Sequence, residues 1–225
     1  MNTTFTIGVI RVITQKQEET DDHGRLLEAW FPQFKVQSWC ISDQPEGVHD
    51  EETKALAIPK IVALAHEIAD RNVDGLIISC ADDPGVAEVR QMLSIPVVGA
   101  GESTAAAATR YGNRVFTLGI TDRVPAAYPR ILGDKFAGNV VPEGVTNTLD
   151  LRTENGRTQT IAAAHSLRNQ GADAIALACT GLATIGIAAL LEREAGIPVL
   201  DPVMCEGHAL LLDLLRTTEY PKGTK

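Results

Sequence analysis

The chain has 225 residues, 44% of them hydrophobic, 4% aromatic and 22% charged, with a formal net charge of −9. This length suits one large domain or two smaller ones sharing a cleft, with a core of aliphatic residues and alanine in place of rings. The acidic balance excludes a nucleic-acid groove, which needs clustered Lys and Arg, and opposes docking on an anionic membrane.

In chain order, Phe5–Val12 reads as a first strand, with no basic segment and apolar stretch ahead of it. Val36–Ile41 is a second strand. Residues 54–70 follow as a helix, with Leu56, Ile61, Leu64 and Ile68 at helical spacing and Pro59 as an objection in its early turns. Gly75–Ser79 and Val97–Gly99 complete four strands. The same order returns in Val115–Ile120, Val140–Val141, Ala174–Ala178 and Val199–Leu200, and the polar tail Tyr220–Lys225 is expected to fray. No apolar run reaches a membrane span, so a cytoplasmic address is expected, where the four cysteines stay reduced. They form no CxxC pair and show no zinc spacing, and no metal or cofactor is expected.

Alternating strands and helices imply parallel sheets with helices on both faces. The two series also share wording. Phe5-Thr6-Ile7-Gly8-Val9 matches Phe116-Thr117-Leu118-Gly119-Ile120, and Ile95-Pro96-Val97-Val98 matches Ile197-Pro198-Val199-Leu200. Between them, the segment from Val73 to Cys80 matches that from Ala172 to Cys179. Three landmarks in the same order predict an α/β fold of two pseudo-symmetric halves, residues 1–112 and 113–225. Each half is a parallel sheet flanked by helices, the active site lies in the cleft between them, and the C-terminal helix can pack back on the first.

Cys80 and Cys179 each end the most hydrophobic strand of their half, where open parallel sheets present ligand crevices. Asp83 suits a helix N-cap and Pro84 a first helical position, and Thr180-Gly181 opens an apolar helical pattern. Each sulfur is therefore expected near a helix N-terminus, which favours a thiolate. A cysteine at a strand end often merely packs. Two at matched positions of two half-repeats instead suggest opposed groups that remove a proton from one face of a carbon and return one to the other. Cys40 reads as core and Cys205 as a partly exposed residue opening a helix; neither has a counterpart in the other half.

Cys80-Ala81-Asp82-Asp83-Pro84-Gly85, Ile95-Pro96-Val97-Val98-Gly99 and Ala178-Cys179-Thr180-Gly181 together resemble the Asp/Glu/hydantoin racemase superfamily over nearly the whole chain, with the first segment closest to its hydantoin and allantoin racemases. The resemblance implies an isomerase that needs neither pyridoxal phosphate nor metal, with Cys80 and Cys179 as acid and base. The implied substrate is a hydantoin or an amino acid of the aspartate or glutamate type. Glutamate racemases follow the second cysteine with Thr-His, where this chain has Thr180-Gly181. Hydantoin racemases carry Asn-Pro-Asn after the first strand, where it has Arg11-Val12-Ile13-Thr14.

Substrate-binding candidates are Arg11 and Thr14 after the first strand, Thr121 at the related place in the second half, and Ala81, Asp82, Thr180 and Gly181 beside the cysteines. Arg11 can clamp a carboxylate or imide edge, or stand as a solvated arginine. The backbone N–H groups of the other four can meet developing negative charge. The five histidines show no ligand spacing, and Gly99-Ala100-Gly101 lacks the lysine of a phosphate loop. Expected partners are a small molecule with a carboxylate or imide group and further copies of the chain, without nucleic acid or membrane. Competing readings are a maleate-type isomerase or arylmalonate-type decarboxylase on the same framework, and a two-lobed ligand-binding module without turnover.

Overall fold

The computed structural model describes residues 3–219; the tail Tyr220–Lys225 lies outside them. The first half runs β1 (Phe5–Arg11), α1 (Gln17–Thr20), α2 (Asp22–Trp30), β2 (Phe34–Cys40), α3 (Glu51–Ala69), β3 (Gly75–Ser79), α4 (Val86–Met92), β4 (Val97–Gly99) and α5 (Ala100–Ala108). The second runs β5 (Val115–Leu118), α6 (Ala127–Leu132), β6 (Phe136–Val140), α7 (Glu154–Asn169), β7 (Ala174–Leu177), α8 (Thr180–Thr184), α9 (Ala188–Ala195), β8 (Val199–Leu200) and α10 (Pro202–Glu219).

The two sheets repeat one topology. Their orders are β2-β1-β3-β4 and β6-β5-β7-β8, and every pairing is parallel. The inner strands β3 and β7 are buried at every position, as strands covered on both faces must be. Each ends one or two residues before a cysteine. The pairing of Arg11 with Ser79 brings the ends of β1 and β3 level, next to Cys80.

The last helix of each half crosses to the other. Ala105 and Ala108 of α5 pack with Tyr128, Leu132, Ala174 and Ala176 of the second half. Val203, Leu210 and Leu214 of α10 pack with Phe5, Ile7, Val9 and Ile77 of the first. Gly75 lets α10 approach the sheet, since a Cβ there would stand 2.7 Å from Leu210 Cδ1 and force that side chain to shift. This exchange holds the two halves together through apolar burial, worth about 25 cal/mol per Å².

Two local expectations change. Helix α3 begins at a capping box, Asp50 accepting from the Thr53 N–H, and continues through Pro59. Its buried stripe is Ala57, Ile61, Ala65 and Ile68, while Leu56 is exposed. Half of the stripe is alanine, which carries little hydropathy signal, so the pattern of larger apolar residues misplaced it. Asp83 does not cap α4, whose N-cap is the left-handed Gly85. Its carboxylate accepts instead from the Gly101 and Glu102 N–H groups at 2.8 and 2.7 Å, capping α5. Among the described residues, no helix is long and apolar enough to cross a membrane.

Candidate active site

Cys80 and Cys179 line one partly open cavity of about 60 Å³. Ala81, Asp82, Thr180 and Gly181 line it too, so the segments after both strands converge as their matched positions require. This volume holds only a few waters. Gly47, Val48 and His49 form part of its wall, which gives the Asp43–Gly47 loop its place: it folds back toward the cleft.

The two sulfurs meet similar surroundings. The Asp82 N–H points to Cys80 Sγ, and the Gly181 and Leu182 N–H groups to Cys179 Sγ, so in each half the amide two residues on faces the thiol. Thr148 Oγ1 adds a hydroxyl 3.7 Å from Cys179 Sγ. A Cβ at position 181 would lie 2.3 Å from Thr148 Cγ2, so a larger residue there would displace the Thr148 side chain. Cys179 is the N-cap of the five-residue α8, whereas Cys80 is separated from α4 by the turn 81–85. The expectation that a helix N-terminus serves both thiols therefore fails for Cys80. Both are buried, and burial pushes both thiols above their ordinary value, outweighing the N–H groups that favour the thiolate.

Asp82 is the most heavily paired group at the cavity. It lies between Lys54 Nζ, 3.1 Å from Oδ1, and the Arg123 guanidinium, which reaches both carboxylate oxygens. Arg123 also donates to Glu51 Oε1 at 2.7 Å. Residues from α3, the turn after β3 and the second half are thereby tied across the cleft.

Arg11 lines the cavity but its Nη1 donates to the carbonyls of Glu19 and Thr20, at 3.1 and 3.4 Å, and burial lowers it to about 10. Thr121 also lines the cavity, its hydroxyl donating to the Arg123 carbonyl. Thr14 is not in the cavity wall: its Oγ1 donates to the Ile41 carbonyl and accepts from the Gln44 N–H, which anchors the loop after β2. Cys40 is half-buried at the end of β2. Cys205, expected to be partly exposed, is buried within α10, because α5 and the second sheet close over it. The N-terminus of α5 at Gly99–Gly101 already receives the Asp83 carboxylate and offers no phosphate loop. Among the described residues, no three of His, Cys, Asp and Glu converge as metal ligands.

Residues 17–206 match the model of a family described as Asp/Glu/hydantoin racemase. The chain belongs to the Asp/Glu/hydantoin racemase family. It is an isomerase of the racemase type on the hydantoin/allantoin racemase-like branch. The hydantoin racemase of Pseudomonas sp. (strain NS671) is 26% identical over 196 residues, 79% of this chain and 76% of that one. The allantoin racemase of Pseudomonas fluorescens superposes with a TM-score of 0.80 at 22% identity, covering 98% of both chains. A maleate cis-trans isomerase of Nocardia farcinica, in a mutant with a covalently bound succinylcysteine, shares the fold with a TM-score of 0.72 at 19% identity, over 94% of this chain and 93% of that one.

Sequence reasoning missed Thr148, Arg123 as the partner of Asp82, and a buried His23–Ser79–Glu206 cluster adjoining Cys80. Strand-end placement and the family resemblance pointed to the region, and neither named these partners.

Proposed function

We propose that this racemase inverts a carbon α to a carbonyl through Cys80 and Cys179, acting as base and acid without cofactor, on a hydantoin or a related amino-acid derivative. The observation that carries the reading is that both thiols line one cavity from equivalent strand ends of two sheets with the same order. A thiolate on one side takes the α-proton: its S–H bond forms, the C–H bond breaks, and the electron pair moves into the adjacent carbonyl. The thiol opposite then gives its proton to the other face and becomes the thiolate. The reverse turnover, or exchange with water, restores the starting state.

The N–H groups of Ala81 and Thr180 are the proposed contacts to the substrate's carbonyl or carboxylate oxygens as charge develops; those of Asp82 and Gly181 face the thiols, and the Thr121 hydroxyl would have to turn from the Arg123 carbonyl to join them. Arg11 contributes positive charge beside the cavity, and Thr14 acts through the loop it anchors. A hydantoin eases proton removal, because its α-proton is more acidic than that of an amino-acid carboxylate.

The test is a deuterium wash-in screen in heavy water with hydantoins, aspartate and glutamate. Incorporation at the α-carbon with no other chemical change supports the reading. Geometric isomerisation of a double bond, or loss of carbon dioxide, without α-exchange would replace it by the corresponding chemistry on the same framework.

A further inference from the structure

A buried polar chain runs beside the two cysteine segments, with Ser79 also in the cavity wall, and the proton transfers proposed above do not use it. His23 of α2 is fully buried, its Nδ1 2.7 Å from Ser79 Oγ and its Nε2 2.8 Å from Thr184 Oγ1. Ser79 Oγ stands 2.6 Å from Oε1 of the fully buried Glu206. Thr184 Oγ1 in turn lies 3.3 Å from the Thr180 carbonyl. Ser79 immediately precedes Cys80, and Thr180 immediately follows Cys179. The contacts between Ser79 and Glu206 and between His23 and Thr184 span 127 and 161 residues of sequence, so both join one half to the other.

We propose that Glu206, Ser79, His23 and Thr184 form a positioning chain that fixes the strand end bearing Cys80 against the helix start bearing Cys179. The proposal rests on the two-cysteine reading of the site. It assigns these residues no contact with substrate; they act through the backbone of the two cysteine segments.

The hydrogens can run along the chain in one consistent direction. A neutral Glu206 donates to Ser79, Ser79 donates to His23 Nδ1, the Nε2–H donates to Thr184, and Thr184 donates to the Thr180 carbonyl. Every hydrogen is then used once. Among the described residues Glu206 Oε2 has no partner in either direction; here it is an uncharged carbonyl oxygen, whereas the reverse, with Ser79 donating to Oε1, leaves there an unpaired O–H or one oxygen of a buried carboxylate. Burial moves both titratable members toward the neutral form, Glu206 upward and His23 downward. The charged groups around them are Arg11 of β1, Asp83 of the turn after β3 and Asp201 ahead of α10. Of these, Arg11 alone favours an ionised Glu206, and it opposes a protonated His23.

The chain is tested with Glu206→Gln, whose amide can still donate to Ser79, and with Glu206→Leu and Ser79→Ala, which cannot complete it. Imidazole ¹⁵N spectra of the substrate-free protein should show His23 neutral and protonated at Nε2 from about pH 5.5 to 8.5. Amide hydrogen exchange at residues 80–82 and 180–182 should quicken together, by about tenfold or more, in Glu206→Leu and stay near the wild-type rate in Glu206→Gln. With a substrate from the wash-in screen, Glu206→Leu and Ser79→Ala should lose at least tenfold in kcat with KM changed by less than about threefold, and the α-deuterium isotope effect should rise as proton transfer becomes slower. Glu206→Gln should remain within about threefold of wild type. A merely structural role would lower the active fraction and leave KM and the isotope effect unchanged.

Protonation of His23 at Nδ1, exchange that quickens in one segment alone, or equal loss in Glu206→Gln and Glu206→Leu would overturn the proposal. If no substrate turns over, the racemase reading fails by itself, and the imidazole spectra and amide exchange still decide the chain.

Discussion

Arg123 of the second half reaches both carboxylate oxygens of Asp82, in the turn that follows Cys80 of the first. Asp82 is almost wholly buried while the Arg123 side chain is 30% exposed, so the carboxylate depends on the pair more than the arginine does. Lys54 adds a second cation on the side of α3.

Arg123→Ala removes the cross-cleft partner and leaves Asp82 to Lys54 alone. Losing one member of a buried charge pair costs about 3–5 kcal/mol when no other cation remains; with Lys54 still present, about 1–3 kcal/mol is expected. For a chain of this size that lowers Tm by roughly 2–12 °C. kcat/KM should fall about tenfold or more, and Arg123→Lys should recover only part of it, because an ammonium cannot reach both oxygens as a guanidinium does. Thermal denaturation and steady-state kinetics of the two variants check this.

Gly101 marks the closest approach of α5 to the Cys80 turn. A Cβ there would lie 2.1 Å from the Ala81 carbonyl oxygen, a backbone atom that cannot swing aside. Gly101→Ala should therefore shift the helix start away from the turn, at a cost of about 2–4 kcal/mol. Denaturant titration should show the loss of stability. Activity per folded molecule should also fall, because the displaced turn carries Cys80.

Thr148→Val tests the surroundings of Cys179. The hydroxyl favours the thiolate, so its removal should raise the thiol further and slow alkylation of Cys179 by iodoacetamide several-fold near pH 8, with little change at Cys80. Peptide mass analysis after timed labelling separates the two sites.

The pH dependence follows from burial. Both thiols sit above their ordinary value, so the thiolate needed as base is scarce at neutral pH and grows as pH rises. After subtraction of the spontaneous reaction, kcat/KM should climb about tenfold per pH unit from pH 7 to about 9, with no acid-side optimum. A maximum below pH 7 would mean that the base is another group, because kcat/KM reports the free enzyme.

The repeat and the sheets were legible because β3 and β7 are short apolar runs that end at cysteines, and parallel strands buried on both faces have little freedom in composition. The cavity followed from strand-end placement. What stayed hidden depends on contacts far apart in sequence. Asp83 looked like the cap of the helix just ahead of it, yet its acceptors serve a helix start 18 and 19 residues on.

His23 illustrates the same limit more sharply. On α2 it reads as one polar residue among several, and nothing local announces partners on β3 and α8. Glu206 sits amid the apolar positions of α10, and only the packing of that helix against the first half turns its carboxyl into the core. The two thiols were expected to face one cleft, and both line the cavity, but their acidity was not legible. Proximity to helix starts suggested a lowered value, and burial, visible only in three dimensions, reverses the sign.

The two-base account is tested most directly by following α-hydrogen exchange of each separate enantiomer in heavy water by NMR, in Cys80→Ser and Cys179→Ser. A serine hydroxyl is far too weakly acidic to replace a thiolate, so racemisation should fall by several orders of magnitude in both variants. Each should still exchange slowly the one enantiomer whose α-proton faces the surviving thiolate, and the two variants should show opposite preferences. Exchange of the same enantiomer by both variants, or racemisation by either at the wild-type rate, would contradict the assignment of Cys80 and Cys179 to opposite faces of the substrate.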